Sequence, residues 1–140
     1  MPLNASHLVG LDAVRASATD YAHRLGIRNL TIDSAPRGDG SPYIEISDVY
    51  HFVVEERGLE LERRKTRDLD ELLYWVFDGV TFTVASSFEL RNRRPNEDSR
   101  RQLFAKQEEL LNLASEAWGR RKEVEHKGVL ANYPFNDTLG

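Results

Sequence analysis

The residue pattern that comes closest to a reactive centre is Glu123-Val-Glu-His126. A glutamate and a histidine three residues apart share one face of a helix, which is the spacing of carboxylate-bridged di-metal bundles. Such a site needs a second copy of the motif and two further inward carboxylates, and Asp20-Tyr-Ala-His23 is only a loose echo of it. The sequence also has no His-Glu-x-x-His pair. We therefore predict no metal site and interpret His126 as a surface histidine with local hydrogen bonds.

Arginines are concentrated where two predicted long helices meet. This cluster comprises Glu89, Arg91, Arg93, Arg94, Arg100 and Arg101. It is either an anion or partner site, or a structural set in which Glu89 and Arg93 form an i,i+4 pair and cations compensate a helix C-terminus. We favour the structural interpretation, because a nucleic-acid surface would need interleaved aromatic residues. The run Arg120-Arg-Lys122 is interpreted as a solvated helix face.

A second candidate surface combines acidic and aromatic residues on a predicted hairpin. Its members are Tyr43, which is expected to be exposed, Glu55, Glu56, Glu60 and Glu62. Aromatic side chains among carboxylates can dock a basic partner. A solvated outer sheet face explains the same pattern, so both interpretations stay open.

Other reactive constellations are absent from the sequence. Without cysteine there is neither a thiolate ligand nor a cysteine nucleophile, and no serine lies in a Gly-x-Ser-x-Gly elbow. The segment Gly38-Asp-Gly40 lacks the Lys-Ser/Thr and the helix of a phosphate-binding loop. We predict no catalytic residue and no cofactor.

The composition is that of one folded domain. The chain has 140 residues, of which 40% are hydrophobic and 30% are charged, and its formal net charge is −4. These values exclude a disordered tail and a strongly basic nucleic-acid binder. Residues 1–8 contain no apolar signal segment, and the apolar stretch Leu72–Leu90 is interrupted by acids, so no membrane span is expected. We expect a single cytoplasmic domain over residues 1–140 and make no prediction of its oligomeric state.

The candidate residues must be positioned by a helix, a small sheet and two long helices. Apolar spacings of three and four predict helices, and alternation with a period of two predicts strands. The predicted elements are a helix from Gly10 to Leu25, a candidate strand from Ile27 to Ile32, a loop from Asp33 to Pro42, strands Tyr43–Asp48, Tyr50–Glu56 and Leu59–Arg64, a helix from Asp68 to Asn92, and a last helix from Asp98 or Ser99 through Leu130. The fold class is α+β: an N-terminal helix and an antiparallel meander of three to four strands, on which the two long C-terminal helices pack.

Local patterns add detail to the hairpin and to the first long helix. Gly58 suits a left-handed position in a tight hairpin. Leu59 and Leu61 share the face opposite Glu60 and Glu62, as is typical of a half-buried strand. The predicted apolar stripe of the helix consists of Leu69, Leu72, Leu73, Val76, Phe77, Val80 and Val84, widened by Tyr74, Trp75, Phe82 and Phe88.

An ordered series of motifs runs from Tyr50 to Asp137. The motifs are Glu56-Arg57-Gly58, Thr66-x-Asp68-Leu-Asp-Glu-Leu-Leu-Tyr-Trp-Val-Phe77, Val80-Thr-Phe82, Ala85-x-x-Phe88-Glu-Leu90, Asn92-Arg93, Asp98-x-Arg-Arg101, Phe104-x-x-Gln107, Leu110-Leu111, Trp118, Glu125-His126 and Pro134-Phe135-Asn-Asp137. In this order they resemble the immunity protein 63 family of bacterial polymorphic toxin systems. The resemblance covers about two-thirds of the chain, and Pro-Phe-Asn-Asp is a minor departure, because a second aspartate is expected there.

The resemblance implies a small cytoplasmic protein, made beside a toxin, that binds this toxin and blocks it without catalysis. The implied partner is the cognate toxin domain, with no nucleic acid and no membrane. We expect the contacts on the hairpin patch and on the C-terminal tail, at Tyr133 and Phe135. The motif residues Glu89, Arg93, Arg101 and Gln107 are expected to form a polar structural network.

Two other functions stay open at this point. One is a small metal-dependent or hydrolytic enzyme that uses Glu89, Arg93 and His126. The other is a regulatory nucleic-acid-binding domain that uses the segment from Arg91 to Arg101, whose affinity would fall steeply with salt.

Overall fold

The computed structural model describes residues 8–139 as an α+β protein. Its elements are α1 (Leu11–Arg24), β1 (Asp39–Ile46), β2 (Tyr50–Glu56), β3 (Leu59–Thr66), α2 (Leu69–Arg91), α3 (Ser99–Ala114), α4 (Glu116–Asn132) and a short 3₁₀ helix (Asp137–Leu139). The chain forms two compact units, residues 1–75 and 76–140, whose border lies inside α2. The predicted fold class, N-terminal helix and antiparallel sheet are confirmed. Residues 1–7, where no signal segment is expected, lie outside the described residues.

None of the helices within residues 8–139 is long and apolar enough to cross a membrane.

The first helix, α1, has nearly the predicted range. Its buried face consists of residues spaced by four, Val14, Ala18 and Ala22. Gly26 follows the helix with a φ of +77°, a left-handed conformation that glycine adopts without strain.

The segment 27–32 is irregular, so the candidate strand there is wrong. The guanidinium of Arg15 in α1 donates two hydrogen bonds, of 2.8 and 3.1 Å, to the carbonyl oxygen of Ile32. The carbonyl oxygen of Ile32 is thus satisfied by the side chain of Arg15, and not by a neighbouring strand as the alternation pattern predicts.

The sheet has three antiparallel strands in the order β1-β2-β3. β2 has the predicted bounds, whereas β1 begins inside the predicted loop. Asp39 pairs with Glu56 and Pro42 with Val54, and the irregularity between these pairs contains Gly40, whose φ is +87°. Pro42 is tolerated because β1 is an edge strand, where a missing N–H need not break a hydrogen-bond ladder.

The start of α2 packs on the sheet within the first unit. Asp68 is its N-cap, since the backbone N–H of Asp70 donates to Asp68 Oδ1 at 3.0 Å. Trp75 meets Phe52 of β2 edge-on, with 6.2 Å between the ring centroids. The guanidinium carbon of Arg64 on β3 lies 5.2 Å from the centroid of each ring. Of the two N-caps that the sequence offers, Thr66 and Asp68, the hydrogen bond from Asp70 identifies Asp68.

The second half of α2 departs from the predicted stripe. Phe82 and Val84 are 51% and 36% exposed. The buried residues are instead spaced by four: Phe77, Thr81, Ala85 and Glu89. Thr81 is accepted in the core because its hydroxyl donates to the carbonyl of Phe77 at 2.7 Å. Hydropathy alone places such partnered polar residues on the wrong face.

The predicted last helix is divided into α3 and α4. Ser115 has an extended backbone, with φ −161° and ψ 122°, and its Oγ accepts the N–H of Trp118 at 3.3 Å. One continuous helix is the wrong prediction because this serine ends α3 and caps α4. The two helices pack closely, since a Cβ at Gly119 would lie 2.7 Å from the Cβ of Asn112.

The second unit has an aromatic centre. Phe77 of α2 and Trp118 of α4 stack with 5.7 Å between their ring centroids. Both side chains are almost fully buried. The confirmed apolar part of the stripe therefore holds the helices together.

Candidate functional site

The predicted acidic patch lies at the end of the β2–β3 hairpin, which we call the hairpin tip (residues 55–62). The strand register places Glu55 directly opposite Glu60, and like charges in this position repel each other. Two of the four tip glutamates are each bound by an arginine of β3, at 2.8 and 2.6 Å. Glu55 and Glu56 make no ion pair with any residue that the structure describes.

The hairpin tip also exposes two apolar side chains. Leu59 is 64% exposed and Leu61 is 55% exposed. Past Val54 the pairing advances by one residue on β2 and by two on β3, so Leu61 is the extra residue of a β-bulge. Bulges turn side chains away from the regular alternation. The half-buried pattern expected for β3 is therefore wrong at this end.

Tyr43, the aromatic member of the predicted patch, is only 6% exposed, so its predicted exposure is wrong. Buried Val53 pairs with it on one side, and the chain at Asp33 runs beside it on the other. Its O–H donates to Glu55 Oε2 at 3.5 Å. Burial, together with the negative charges of Glu55 and Glu45, raises the pKa of the phenol. Neighbours on both sides of a strand cannot be inferred from alternation.

Arg63 organises the polar side chains on the same sheet face as Tyr43. Its guanidinium donates to Glu60 at 2.8 Å, to Glu45 at 3.0 Å and to His51 Nδ1 at 2.9 Å. The hydrogen bonds to the two carboxylates raise the pKa of Arg63. Arg63 therefore holds Glu60 of the hairpin tip in place but does not bind Glu55 or Glu56.

The C-terminal tail is folded onto the start of α3 in a set of contacts that we call the tail clamp. Its members are Asp98, Arg100, Arg101, Phe135, Asn136 and Asp137. The carboxylate of Asp98 accepts the N–H groups of Arg100 at 3.0 Å and of Asn136 at 2.8 Å. Asp137 accepts the N–H of Asp98 at 2.9 Å and binds the guanidinium of Arg101 at 2.9 and 3.0 Å.

The tail clamp stabilises the ionised form of its carboxylates. The side-chain hydrogen bond from Arg100, followed by the N–H of Asn136, holds the pKa of Asp98 far below its ordinary value. The side-chain hydrogen bond from Arg101 lowers the pKa of Asp137. These carboxylates are saturated with donors from within the chain.

The two aromatic residues predicted as tail contacts have different environments. Phe135 is half-buried, with its ring centroid 6.4 Å from that of Phe104 and 4.2 Å from the guanidinium carbon of Arg101. Tyr133 is 70% exposed, although its carbonyl oxygen accepts a hydrogen bond from Arg100 at 2.9 Å. Of the two, Tyr133 is the residue whose side chain a partner could reach.

The four residues expected to form one polar network are divided among three separate sets of contacts. Glu89 is buried and binds Arg93 at 2.7 Å. Arg101 belongs to the tail clamp. Gln107, 2% exposed, donates to Asp78 Oδ1 at 3.0 Å. Their structural role stays a prediction: Glu89 and Arg93 bind each other, as the sequence predicts, whereas Gln107 binds Asp78, which the motif series does not include.

The run Arg120-Arg-Lys122, predicted to be a solvated face, contains a buried lysine, so the prediction is wrong at Lys122, whereas Arg120 is exposed. Lys122 is 7% exposed, and its Nζ is 2.8 Å from Asp78 Oδ1 and 2.7 Å from Glu125 Oε1. Burial by itself lowers the pKa of Lys122, but the hydrogen bonds to the two carboxylates outweigh it and the pKa is raised. The available signal is the spacing of four from Trp118, which places both residues on one face.

His126 is also buried, at 6% exposure, and is not the surface histidine expected from the sequence. Its Nδ1 lies 2.6 Å from Glu108 Oε2, and its ring stacks on Phe104 at 3.8 Å. Burial outweighs the carboxylate and lowers the pKa of His126. Glu123, its partner in the predicted motif, is exposed. Across residues 8–139, no group of three or more His, Asp, Glu or Cys is placed to hold a metal ion.

The contacts favour neither alternative function. For the enzyme alternative, Glu89 and Arg93 bind each other, and His126 binds a carboxylate of α3. For the nucleic-acid alternative, most arginines of the cluster are paired with acids: Arg93 with Glu89, Arg94 with Glu97, Arg100 with Asp98 and Arg101 with Asp137. Such pairs reduce the positive potential that a phosphate backbone requires.

Comparison with known proteins gives a family. The family model described as Immunity protein 63 matches residues 47–128, which is more than half of the 140 residues. The matched range includes β2, β3, α2, α3 and most of α4. The same comparison with curated proteins and with solved structures finds no match.

Proposed function

The chain belongs to the Immunity protein 63 family, and on this premise we propose that it binds the cognate toxin of a bacterial polymorphic toxin system and neutralises it. It acts by stoichiometric binding, without turnover, in the cytoplasm of the cell that produces the toxin. The observation that carries this proposal is the family match over residues 47–128.

A protective inhibitor must stay bound, which sets physical requirements on its surface. Stable complexes bury about 1,600 Å² in total and depend on a few well-packed anchors. Large exposed apolar side chains in the described part of this chain could serve as anchors. They include Leu59, Leu61, Phe82, Leu90, Leu113, Val124 and Tyr133. Their presence supports a binding role.

The test is protection of a growing culture. The toxin domain encoded beside the gene for this chain is expressed from an inducible promoter, with or without this chain. We expect growth only when the chain is co-expressed. A folded chain that fails to restore growth against this toxin would contradict the proposal.

A titration separates binding from catalysis. Purified chain is added in increasing amounts to a fixed amount of the toxin, and the toxin's residual activity is measured. Stoichiometric binding predicts inhibition that is complete at equimolar protein and a complex of fixed composition in light scattering. Complete inhibition at far less than equimolar chain would indicate turnover and favour an enzyme.

A further inference from the structure

We propose that the hairpin tip is the surface that contacts the toxin, and that it fits a basic face of the toxin that has an apolar recess. The inference rests on the proposed function, since it names the contact surface and the chemistry of the same partner. Three properties of the tip support it: a fixed backbone, exposed leucines, and two glutamates that have no ion pair within residues 8–139.

The backbone of the hairpin tip is held in place before any partner binds. Arg57 and Gly58 have φ values of +52° and +81°, as in the two-residue turns whose twist matches that of paired strands. The N–H of Arg57 donates to the carbonyl of Gly38 at 3.0 Å, and Glu56 pairs with Asp39 at the start of β1. All three strands therefore support the tip, and a preorganised surface loses little conformational entropy on binding.

The exposed leucines provide an apolar anchor. Leu59 and Leu61 lie two residues apart at the end of the hairpin, and each side chain is more than half exposed. The bulge at Leu61 turns this part of β3 out of the regular alternation. Leucines that insert into a recess on a partner remove apolar area from water, which favours association.

The charge of the hairpin tip selects a basic partner. Residues 55–62 contain four glutamates and one arginine; Arg63 and Arg64 bind Glu60 and Glu62, which leaves Glu55 and Glu56 without an ion pair among the described residues. The register brings Glu55 opposite Glu60, whose charge Arg63 already compensates, so the carboxylates left for a cation of a partner are those of Glu55 and Glu56. The same charge disfavours a second copy of this chain, because two acidic tips would face each other across a symmetric contact.

Another exposed apolar residue provides a matched control. Val124 on α4 is 67% exposed, comparable to Leu59. Its sequence neighbours carry both signs of charge, with Glu123 and Glu125 close to Arg121 and Lys127. This part of α4 has apolar exposure without a net acidic surface.

The experiment compares two hairpin variants with a helix control against the toxin domain encoded by the adjacent gene. Leu59→Ser/Leu61→Ser removes the anchor, Glu55→Lys/Glu56→Lys reverses the charge, and Glu123→Lys/Val124→Ser makes the same kinds of change on α4. We expect each hairpin variant to bind at least about tenfold more weakly, as expected for loss of a hot spot, and the helix control to bind like wild type. The leucine variant and the helix control should keep the melting temperature of the wild type, because the changed side chains are exposed. Glu55 is half-buried beside Tyr43, so Glu55→Lys/Glu56→Lys is compared in binding only after circular dichroism shows that it is folded, and Glu56→Lys alone, at an exposed side chain, should weaken binding in the same direction.

Salt dependence gives an independent readout of the charge. The association rate of wild type with this toxin should fall as NaCl is raised, whereas that of Glu55→Lys/Glu56→Lys should be slower at low salt and lose this dependence. If the association rate of the wild type does not change with NaCl concentration, the inference that the partner surface is basic is overturned.

The outcomes separate this inference from the proposed function. If wild type neither binds nor neutralises the toxin, the proposed function fails and the inference falls with it. If wild type binds and both folded hairpin variants bind equally well, only the inference fails. Wild type that dimerises in light scattering, and becomes monomeric with Leu59→Ser/Leu61→Ser, would also overturn it, because the occupant would then be a second copy.

Discussion

The hairpin tip and the tail clamp have similar ingredients and opposite chemistry. Both combine carboxylates, arginines and apolar side chains. In the tail clamp, Asp98 and Asp137 each accept several hydrogen bonds from within the chain. In the hairpin tip, Glu55 and Glu56 make no ion pair with any residue in the described range. A carboxylate saturated by its own chain stabilises the fold, whereas an unsaturated one remains available to a partner.

The range of the contacts along the chain explains this difference. The hydrogen bonds of the tail clamp join residues up to 39 positions apart, from Asp98 to Asp137. The ion pairs of the tip glutamates with β3 join residues only two or three positions apart, and local exposed pairs contribute little to stability. The tail clamp therefore ties a distant segment to α3, whereas the ion pairs of Glu60 and Glu62 only fix side-chain positions along β3.

The largest expected effect tests whether the helical unit that carries the tail clamp is tightly packed. Phe77→Ala removes a ring that is 0% exposed and stacked on Trp118. We expect a loss of about 3–5 kcal/mol in the free energy of unfolding, from the lost burial and the cavity. Urea unfolding followed by circular dichroism measures it. A loss below about 1 kcal/mol would mean that α2 does not hold this core together.

The next prediction sets one carboxylate of each region against the other. Asp98→Ala removes the N-cap of α3 and a charged acceptor of the tail clamp, and should lower the free energy of unfolding by about 2 kcal/mol or more. Glu56→Ala in the hairpin tip should change it by no more than about 0.5 kcal/mol. Toxin affinity, measured under conditions in which both variants are folded, should fall more for Glu56→Ala than for Asp98→Ala. Equal effects of the two variants on stability would remove the distinction between the regions.

Acid unfolding examines the saturated carboxylates alone. The pKa values of Asp98 and Asp137 in the folded protein lie below the ordinary 3.8. Their stabilisation is therefore fully present above pH 3.8 and is lost as the pH falls from there through the folded-state pKa. Asp98→Asn should unfold with a shallower dependence on pH over this window than wild type, in urea titrations at successive pH values. An unchanged slope would show that Asp98 is not saturated in solution.

Local sequence patterns predict the elements well where turns and periodicity agree. The bounds of β2 are those predicted, because two signals agree: the alternating residues define the strand, and Gly58, with its left-handed backbone, marks the turn that follows it. The N-cap at Asp68 follows from the chemistry of one side chain and its neighbours. Such signals are contained within a few residues, so a single sequence is sufficient to find them.

The errors arise where a partner distant in sequence decides the outcome. Lys122 is buried because Asp78 of α2 satisfies its charge, and Tyr43 is covered by neighbours on both sides. One error has a local cause instead: Ser115 divides one predicted helix into two, because its side chain caps α4 at the N–H of Trp118. For the candidate site, the acidic residues of the hairpin tip were identifiable from sequence. The exposure of Leu59 and Leu61 was not, because alternation assigns both leucines to a half-buried face and the bulge at Leu61 depends on strand register.

The smallest effects are expected for the two aromatic residues of the C-terminal tail, which allow a residue bound by its own chain to be compared with an exposed one in the same segment. Phe135→Ala should lower the free energy of unfolding by about 1–2 kcal/mol, because its ring is half-buried against Phe104 and Arg101. Tyr133→Ala, at a side chain that is 70% exposed, should change it by less than about 0.5 kcal/mol. Thermal and urea unfolding measure both, and toxin binding is measured in parallel. If Tyr133→Ala weakens binding while the hairpin variants do not, then the exposed part of the tail, and not the hairpin tip, is the unsaturated surface that meets the toxin.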